Sequence, residues 1–151
     1  MTTAPHPPTT DSERRRAVLA WARLGRAYQA LLLQTEASVR DHGLSGMEFD
    51  ILAHVAGRPG LTQQDLASRL FVSQGNVTYQ VSKLEERGLL ERRPAGRSNT
   101  LHLTAAGQAI HDRAAPQQGD LHARQFAALS PEEQAQLTAL LRRLHPTDSK
   151  E

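Results

Sequence analysis

The stretch LTQQDLASRLFVSQGNVTYQVSKLEERGLL, residues 61–90, decides how the rest of the chain is read. It opens with Thr62 three residues before Asp65, flanked by Leu61 and Leu66. A hydroxyl and a carboxylate at that spacing satisfy the free N–H groups of a helix start, with an apolar staple across them. Val72, Ser73 and Val77 repeat the staple, and Gly88 is the residue type that ends a helix. The spacing predicts helices over 62–69 and 73–87, joined by about three residues. Beyond Gly88 the period shortens from helical to strand-like. Residues 89–93 read as one strand, Pro94-Ala95-Gly96 as turn material, and 100–103 as a second strand.

Helix, tight turn, helix and two-stranded hairpin, in that order, make a winged helix-turn-helix. Leu66, Ala67 and Leu70 on the first helix and Val77, Val81 and Leu84 on the second are placed to pack together. Gln74, Asn76, Thr78, Tyr79, Gln80 and Lys83 are left for the outer surface. Gln and Asn amides match the donor and acceptor on adenine, Thr and Tyr suit phosphate or a thymine methyl, and Lys83 suits phosphate. Free amides near Ser73 and Gly75 add an anion-binding helix start, with no side chain at Gly75 to hold a backbone away. Between Lys83 and Arg97 five basic residues stand against three acidic ones. Arg97 lies in the turn without an acid beside it, placed for the negative potential of a narrow minor groove. Arg92 and Arg93 are read alike at this point, one of them facing phosphate.

Working outward, residues 12–41 lack proline, and Val18, Trp21, Tyr28, Leu32 and Val39 recur at helical steps. A helix of that length outruns one small core, so part of its apolar face is expected to meet a second chain or a distant helix. Ser45 with Glu48, and Leu44 with Phe49, start a helix over 45–57 that Arg58-Pro59-Gly60 ends. Thr104 caps a helix to about residue 115, where Pro116 and then Gly119 are expected to kink or break it. Ser130-Pro131-Glu132-Glu133 starts the last helix, expected to bury Leu137, Leu140, Leu141 and Leu144. The fold class is therefore mainly α: a winged helix-turn-helix at 45–104 between helical dimerisation segments at 12–44 and 105–146. A disordered tail at 1–11 and a flexible end at 147–151 complete the organisation.

Composition narrows the function. The 151 residues contain no cysteine, which excludes disulfides, thiol redox chemistry and Cys-ligated zinc. No apolar run approaches the roughly 20 residues of a membrane span, and residues 1–10 lack a signal-peptide core. The expectation is a soluble, cytoplasmic protein with no membrane partner. A net charge of +2 is too small to argue for a polyanion by itself, so the argument rests on where the charges sit.

Four motifs in order carry a family resemblance: Leu61 to Ala67, Val72 to Thr78, Leu84 to Arg92, and Leu103-Thr104-Ala105-Ala106-Gly107. Together they resemble the MarR family of bacterial transcription regulators, over about residues 15–145. The resemblance implies a homodimer with first and last helices interleaved, bound to a pseudo-palindromic double-stranded operator and usually repressing. It also implies a small phenolic or anionic effector, held between the dimerisation helices and the winged domain, that lowers DNA affinity. The expected DNA contacts are Thr62, Gln63, Ser73, Gln74, Gly75, Asn76, Thr78, Tyr79, Gln80, Lys83, Arg93, Arg97 and Asn99. Two departures stand out: the turn 94–99 lacks the Asp common in the family's wing, and Pro116 with Gly119 interrupts the helix after it. Trp21, Asp50 and His54 are the ligand-binding candidates. Trp21 and Asp50 look like pocket residues of urate-responsive relatives, although Gln80 stands where those carry a basic residue; packing is the other reading of Trp21.

Other functions find less in the sequence. Seven histidines raise a metal-responsive repressor, but none forms a His-x-x-x-His pair; His42 and His54 are twelve apart, and His111 and His122 straddle Pro116. No metal site or cofactor is expected. There is no Gly-rich phosphate loop or nucleophile elbow, and adjacent glutamates at 85–86 and 132–133 point about 100° apart on a helix. No enzyme is expected. The remaining alternative is a winged-helix interaction module without specific DNA binding.

Overall fold

A computed structural model describes residues 10–144; residues 1–9 of the expected tail and the 147–151 end lie outside the described residues. The chain runs α1 (Asp11–Arg40), α2 (Gly46–Gly57), β1 (Leu61–Thr62), α3 (Gln63–Leu70), α4 (Gln74–Glu86), β2 (Leu90–Ala95), β3 (Ser98–Leu103), α5 (Ala105–Gln125) and α6 (Pro131–Leu144). Thr10 and Asp11, read as tail, belong to the start of α1. The Thr10 N–H donates to Glu13 Oε2 at 2.7 Å while the Glu13 N–H donates to Thr10 Oγ1 at 3.3 Å. The same reciprocal box opens α2 through Ser45 and Glu48, and α3 through Thr62 and Asp65.

The core gathers where α2, α3 and α4 meet the sheet. Ile51, Leu52 and Val55 of α2, Leu66 of α3 and Val77, Val81 and Leu84 of α4 are fully buried, joined by Leu101 of β3, Ala114 of α5 and Val39 at the end of α1. Each of the Val, Leu and Ile side chains contributes roughly 1.5–3 kcal/mol of burial. Helix α4 ends in a Schellman turn: the Gly88 N–H donates to the Glu85 carbonyl (2.8 Å) and the Leu89 N–H to the Leu84 carbonyl (2.9 Å), with Gly88 at φ +68°. Helix α5 lands on this corner. Thr104 Oγ1 donates to the Gly88 carbonyl at 2.6 Å, and a Cβ at Gly107 would overlap the Leu89 carbonyl oxygen. The motif around Gly107 is thus a close-approach surface that joins α5 to the end of α4.

Five expectations need correction. The sheet has three antiparallel strands in the order β1-β3-β2, because Leu61 and Thr62 pair with Leu101 and Thr100. The hairpin is longer and tighter than expected: Ala95 pairs with Ser98, and the loop is Gly96-Arg97 alone. Gly96 takes φ +61° while Arg97 keeps negative φ, the II′ arrangement whose twist suits a hairpin. Pro94, read as turn, is tolerated inside β2 because β2 is an edge strand.

Pro116, expected to kink or break the helix, leaves α5 as one element. An interior proline costs an isolated helix about 3 kcal/mol, but Ala114 and Gln118 on either side are buried and α5 packs on α1 and α2. Finally, Leu140, Leu141 and Leu144, expected to be buried, are exposed in the chain, and α6 has no buried residue. Among the described residues, no element of the same chain buries that stripe.

Candidate nucleic-acid interface

Helix α4 presents a polar face because its aliphatic residues Val77, Val81 and Leu84 turn inward. Ser73 caps it, accepting the Asn76 N–H at 3.2 Å. Gln74, Gly75, Asn76, Thr78 and Tyr79 are exposed. The side-chain amides of Gln74 and Asn76 have no hydrogen-bond partner among the described residues. A Cβ at Gly75 would meet nothing within 4 Å. Packing in the chain therefore gives no reason for glycine at 75.

Two of the expected outward residues are placed differently. Gln80 is half-buried and its Oε1 is enclosed without a partner. Position 80 lies three residues after Val77 and four before Leu84, on the flank of the buried stripe. Lys83 turns toward the body of the domain, its Nζ 3.4 Å from Glu48 Oε1 and 5.7 Å above the centre of the Tyr79 ring.

A polar network ties α3, α4 and β2 together. Thr78 Oγ1 donates to the Gln74 carbonyl at 2.9 Å. Only one orientation of the Gln63 amide then suits every neighbour: its nitrogen donates to Thr78 Oγ1 (2.8 Å) and its oxygen accepts from Arg92 Nε (2.9 Å) and Nη2 (3.2 Å). Arg92 also pairs with Glu85 and donates to Ser82 Oγ at 3.2 Å. Of the two arginines read alike, Arg92 is thus an internal tie, while Arg93 is exposed and donates to Glu91 at 2.7 Å. Thr62 uses its hydroxyl on Asp65 Oδ2 at 2.8 Å, and its N–H and hydroxyl hold that carboxyl below the ordinary aspartate range.

Arg97 occupies the hairpin tip, exposed and without an ion-pair partner among the described residues. Between the start of α3 and the hairpin, Thr62, Gln63, Gln64, Ser98 and Asn99 line an open cavity of about 200 Å³. The structure thus brings Thr62, Gln63 and Asn99 together. It adds Gln64 and Ser98, which sequence reasoning missed because their proximity depends on the β1–β3 pairing.

The ligand candidates do not assemble as expected within one chain. His54 Nδ1 donates to the Asp50 carbonyl at 2.8 Å. Asp50 is exposed at the surface, but protein crowded around its carboxyl keeps enough water away to raise it above its ordinary range; Glu36 adds to the rise, and His54 and His122 oppose it. Trp21 is 78% exposed and lies fifteen residues before Glu36 on α1, roughly 22 Å along the axis. Gln118, which sequence reasoning missed, is 3% exposed with both amide atoms unpartnered. It sits one turn before His122 on α5. Among the described residues no three His, Cys, Asp or Glu side chains are grouped to hold a metal ion.

A helix-turn-helix beside a three-stranded sheet with a projecting hairpin, an outward amide face and a tip arginine with no ion pair among the described residues defines the class of winged-helix transcription regulators. The family model for the MarR family matches residues 42–98. The HTH-type transcriptional regulator YkoM of Bacillus subtilis, itself uncharacterized, is 37% identical over 139 residues, covering 88% of each chain. The Mycobacterium tuberculosis MarR family protein Rv2887, solved with salicylic acid, is 30% identical with a TM-score of 0.65, over 80% of this chain and 92% of that one. A mutant Escherichia coli MarR solved with operator DNA shares the fold at a TM-score of 0.78 and 24% identity, over 86% of this chain and 96% of that one. The chain belongs to the MarR family, a family of transcriptional regulators and not of enzymes. None of its described helices is long and apolar enough to cross a membrane.

Proposed function

We propose that this chain is a homodimeric, effector-responsive repressor that binds a pseudo-palindromic operator in the cytoplasm. The observation that carries the reading is the solvent-facing pair of amides, Gln74 and Asn76, on a helix whose opposite face is fully buried. Amides held outward on a rigid helix suit bidentate bonding to adenine. Arg97 at the wing tip, Arg93 on its strand and the helix start at Ser73 and Gly75 supply the phosphate and minor-groove contacts. The cavity between Gln63 and Asn99 receives the backbone between the two grooves.

The second copy covers the apolar surface that this chain leaves open. Val18, Trp21, Leu24 and Tyr28 of α1 and Leu140 and Leu144 of α6 are all exposed. Surface of that kind marks an interface. Two copies so joined place their recognition helices one turn of duplex apart, about 34–36 Å. The effector lodges where α1, α2 and α5 meet, beside Asp50, His54 and Gln118, and favours a subunit arrangement that no longer fits that spacing. Rv2887's complex with salicylic acid supports a small aromatic acid as the first compound to try.

Sizing of the purified chain together with salt-dependent titration of palindromic and random duplexes tests the reading. A dimer that prefers one palindrome by about 1,000-fold and weakens steeply with salt is expected. A monomer, or equal affinity for all duplexes, overturns it and leaves the interaction-module alternative.

A further inference from the structure

We propose that Glu48 is a positioning residue that sets the angle at which α4 is presented to DNA. The inference rests on the reading of α4 as the DNA-reading helix. The Glu48 side chain is nearly enclosed, yet both of its oxygens are engaged. Oε2 accepts from the Ser45 N–H at 2.9 Å and from Arg87 Nη1 at 2.9 Å, and Oε1 lies 3.4 Å from Lys83 Nζ. Arg87 Nη2 reaches on to the Gly43 carbonyl at 2.8 Å. One carboxylate at the start of α2 thus collects two cations spaced one turn apart at the end of α4.

The apolar contact between α4 and its neighbours cannot set this angle by itself. Val77, Val81 and Leu84 are held by burial, which is non-directional and tolerates small rotations of the helix about its stripe. Charge-assisted hydrogen bonds are directional, and a guanidinium that bonds the Glu48 carboxylate through Nη1 and the Gly43 carbonyl through Nη2 is fixed in orientation as well as distance. Glu48 also withdraws Lys83 from the outer face. The clamp therefore limits charge-driven binding to any duplex while holding the amide face of Gln74 and Asn76 in register with one.

Glu48→Gln isolates this role, because Gln at the third helical position still bonds back to the cap and keeps the start of α2. In the free protein, amide hydrogen exchange of residues 83–87 is expected to quicken about tenfold while α3 keeps its protection. On DNA, affinity for the preferred palindrome falls about tenfold or more, whereas affinity for random duplex holds or rises as Lys83 is released, with a salt slope steeper by about one. Adding Arg87→Met to Glu48→Gln changes palindrome affinity less than twofold, the signature of a shared interaction. Unchanged exchange at 83–87, additive effects of the two substitutions, or equal proportional losses on both duplexes would overturn the proposal. If the wild-type chain prefers no palindrome, the operator reading fails, and the exchange measurement still decides whether Glu48 clamps α4.

Discussion

Helices α4 and α6 have nearly the same length, 13 and 14 residues, and both carry an apolar stripe, but their burial is opposite. Every stripe residue of α4 is fully enclosed by its own chain, while Leu144 of α6 is 73% exposed and nothing on that helix is buried. The difference lies in what reaches them. Helix α4 is met by α2, α3 and β2, all within a short span of sequence, whereas α6 stands beyond the core. The winged half buries its apolar residues in contacts of its own, whereas the terminal helices leave theirs exposed among the described residues, the surface that the proposed second copy would cover.

Substitutions that enlarge or remove side chains break this contrast most strongly. Gly107→Ala, whose Cβ overlaps the Leu89 carbonyl, is expected to cost about 3 kcal/mol and to lower the thermal midpoint by several degrees in calorimetry. Leu84→Ala, inside α4, should cost about 2–5 kcal/mol in urea unfolding at any protein concentration. Leu140→Arg with Leu144→Arg, on α6, should instead shift the sedimentation profile toward monomer. If the two α6 changes left the sedimentation profile untouched, the second half of the contrast would fail.

Smaller effects sharpen the division within α4 itself. Asn76→Ala should relax base preference at one operator position, a loss of about 1–3 kcal/mol in discrimination, while Arg97→Ala should weaken all duplexes alike and make the salt slope shallower by about one. Gly75→Ala should raise stability by about 0.5–1 kcal/mol, since nothing in the chain opposes the added methyl. The same change should weaken operator binding, and a stability gain without that loss would show that no backbone approaches there.

The smallest effect is in acid. Burial acts to raise the Glu48 carboxyl, but the Ser45 N–H, the Arg87 charge and the bonds from Lys83 and Arg87 outweigh it and hold it below its ordinary 4.5. A carboxyl lowered on folding stabilises fully above 4.5 and loses that contribution as pH falls below it. In Glu48→Gln, unfolding followed by circular dichroism should depend less on pH in that range.

Much of the site was legible because caps and staples are local chemistry. Thr62 with Asp65 and Ser73 before Asn76 announce helix starts whose hydrogen bonds span three residues, so their spacing alone reveals them. The inward set Leu66, Val77, Val81 and Leu84 follows from helical period. Gln80 and Lys83 depart from the outward reading for different reasons: Gln80 sits on the flank of the buried stripe, and Lys83 is drawn in by a carboxylate from α2 that periodicity cannot reveal. Likewise β1 escaped notice because two residues carry no period, and their strand character exists only through pairing with Leu101 and Thr100. At Pro116 the breaking tendency of proline loses to the packing of Ala114 and Gln118, which no local spacing reveals.

Order along the chain and the spacing of caps, apolar stripes and turns settle the helices, the wing and the face of α4 that carries amides, because each depends on contacts within a few residues. Which cations stay free is another matter. Arg92 becomes a tie, Lys83 joins Glu48 and Arg97 has no ion pair among the described residues, because charges find partners through space, across 39 residues from Glu48 to Arg87, at distances that exist once the domain has closed.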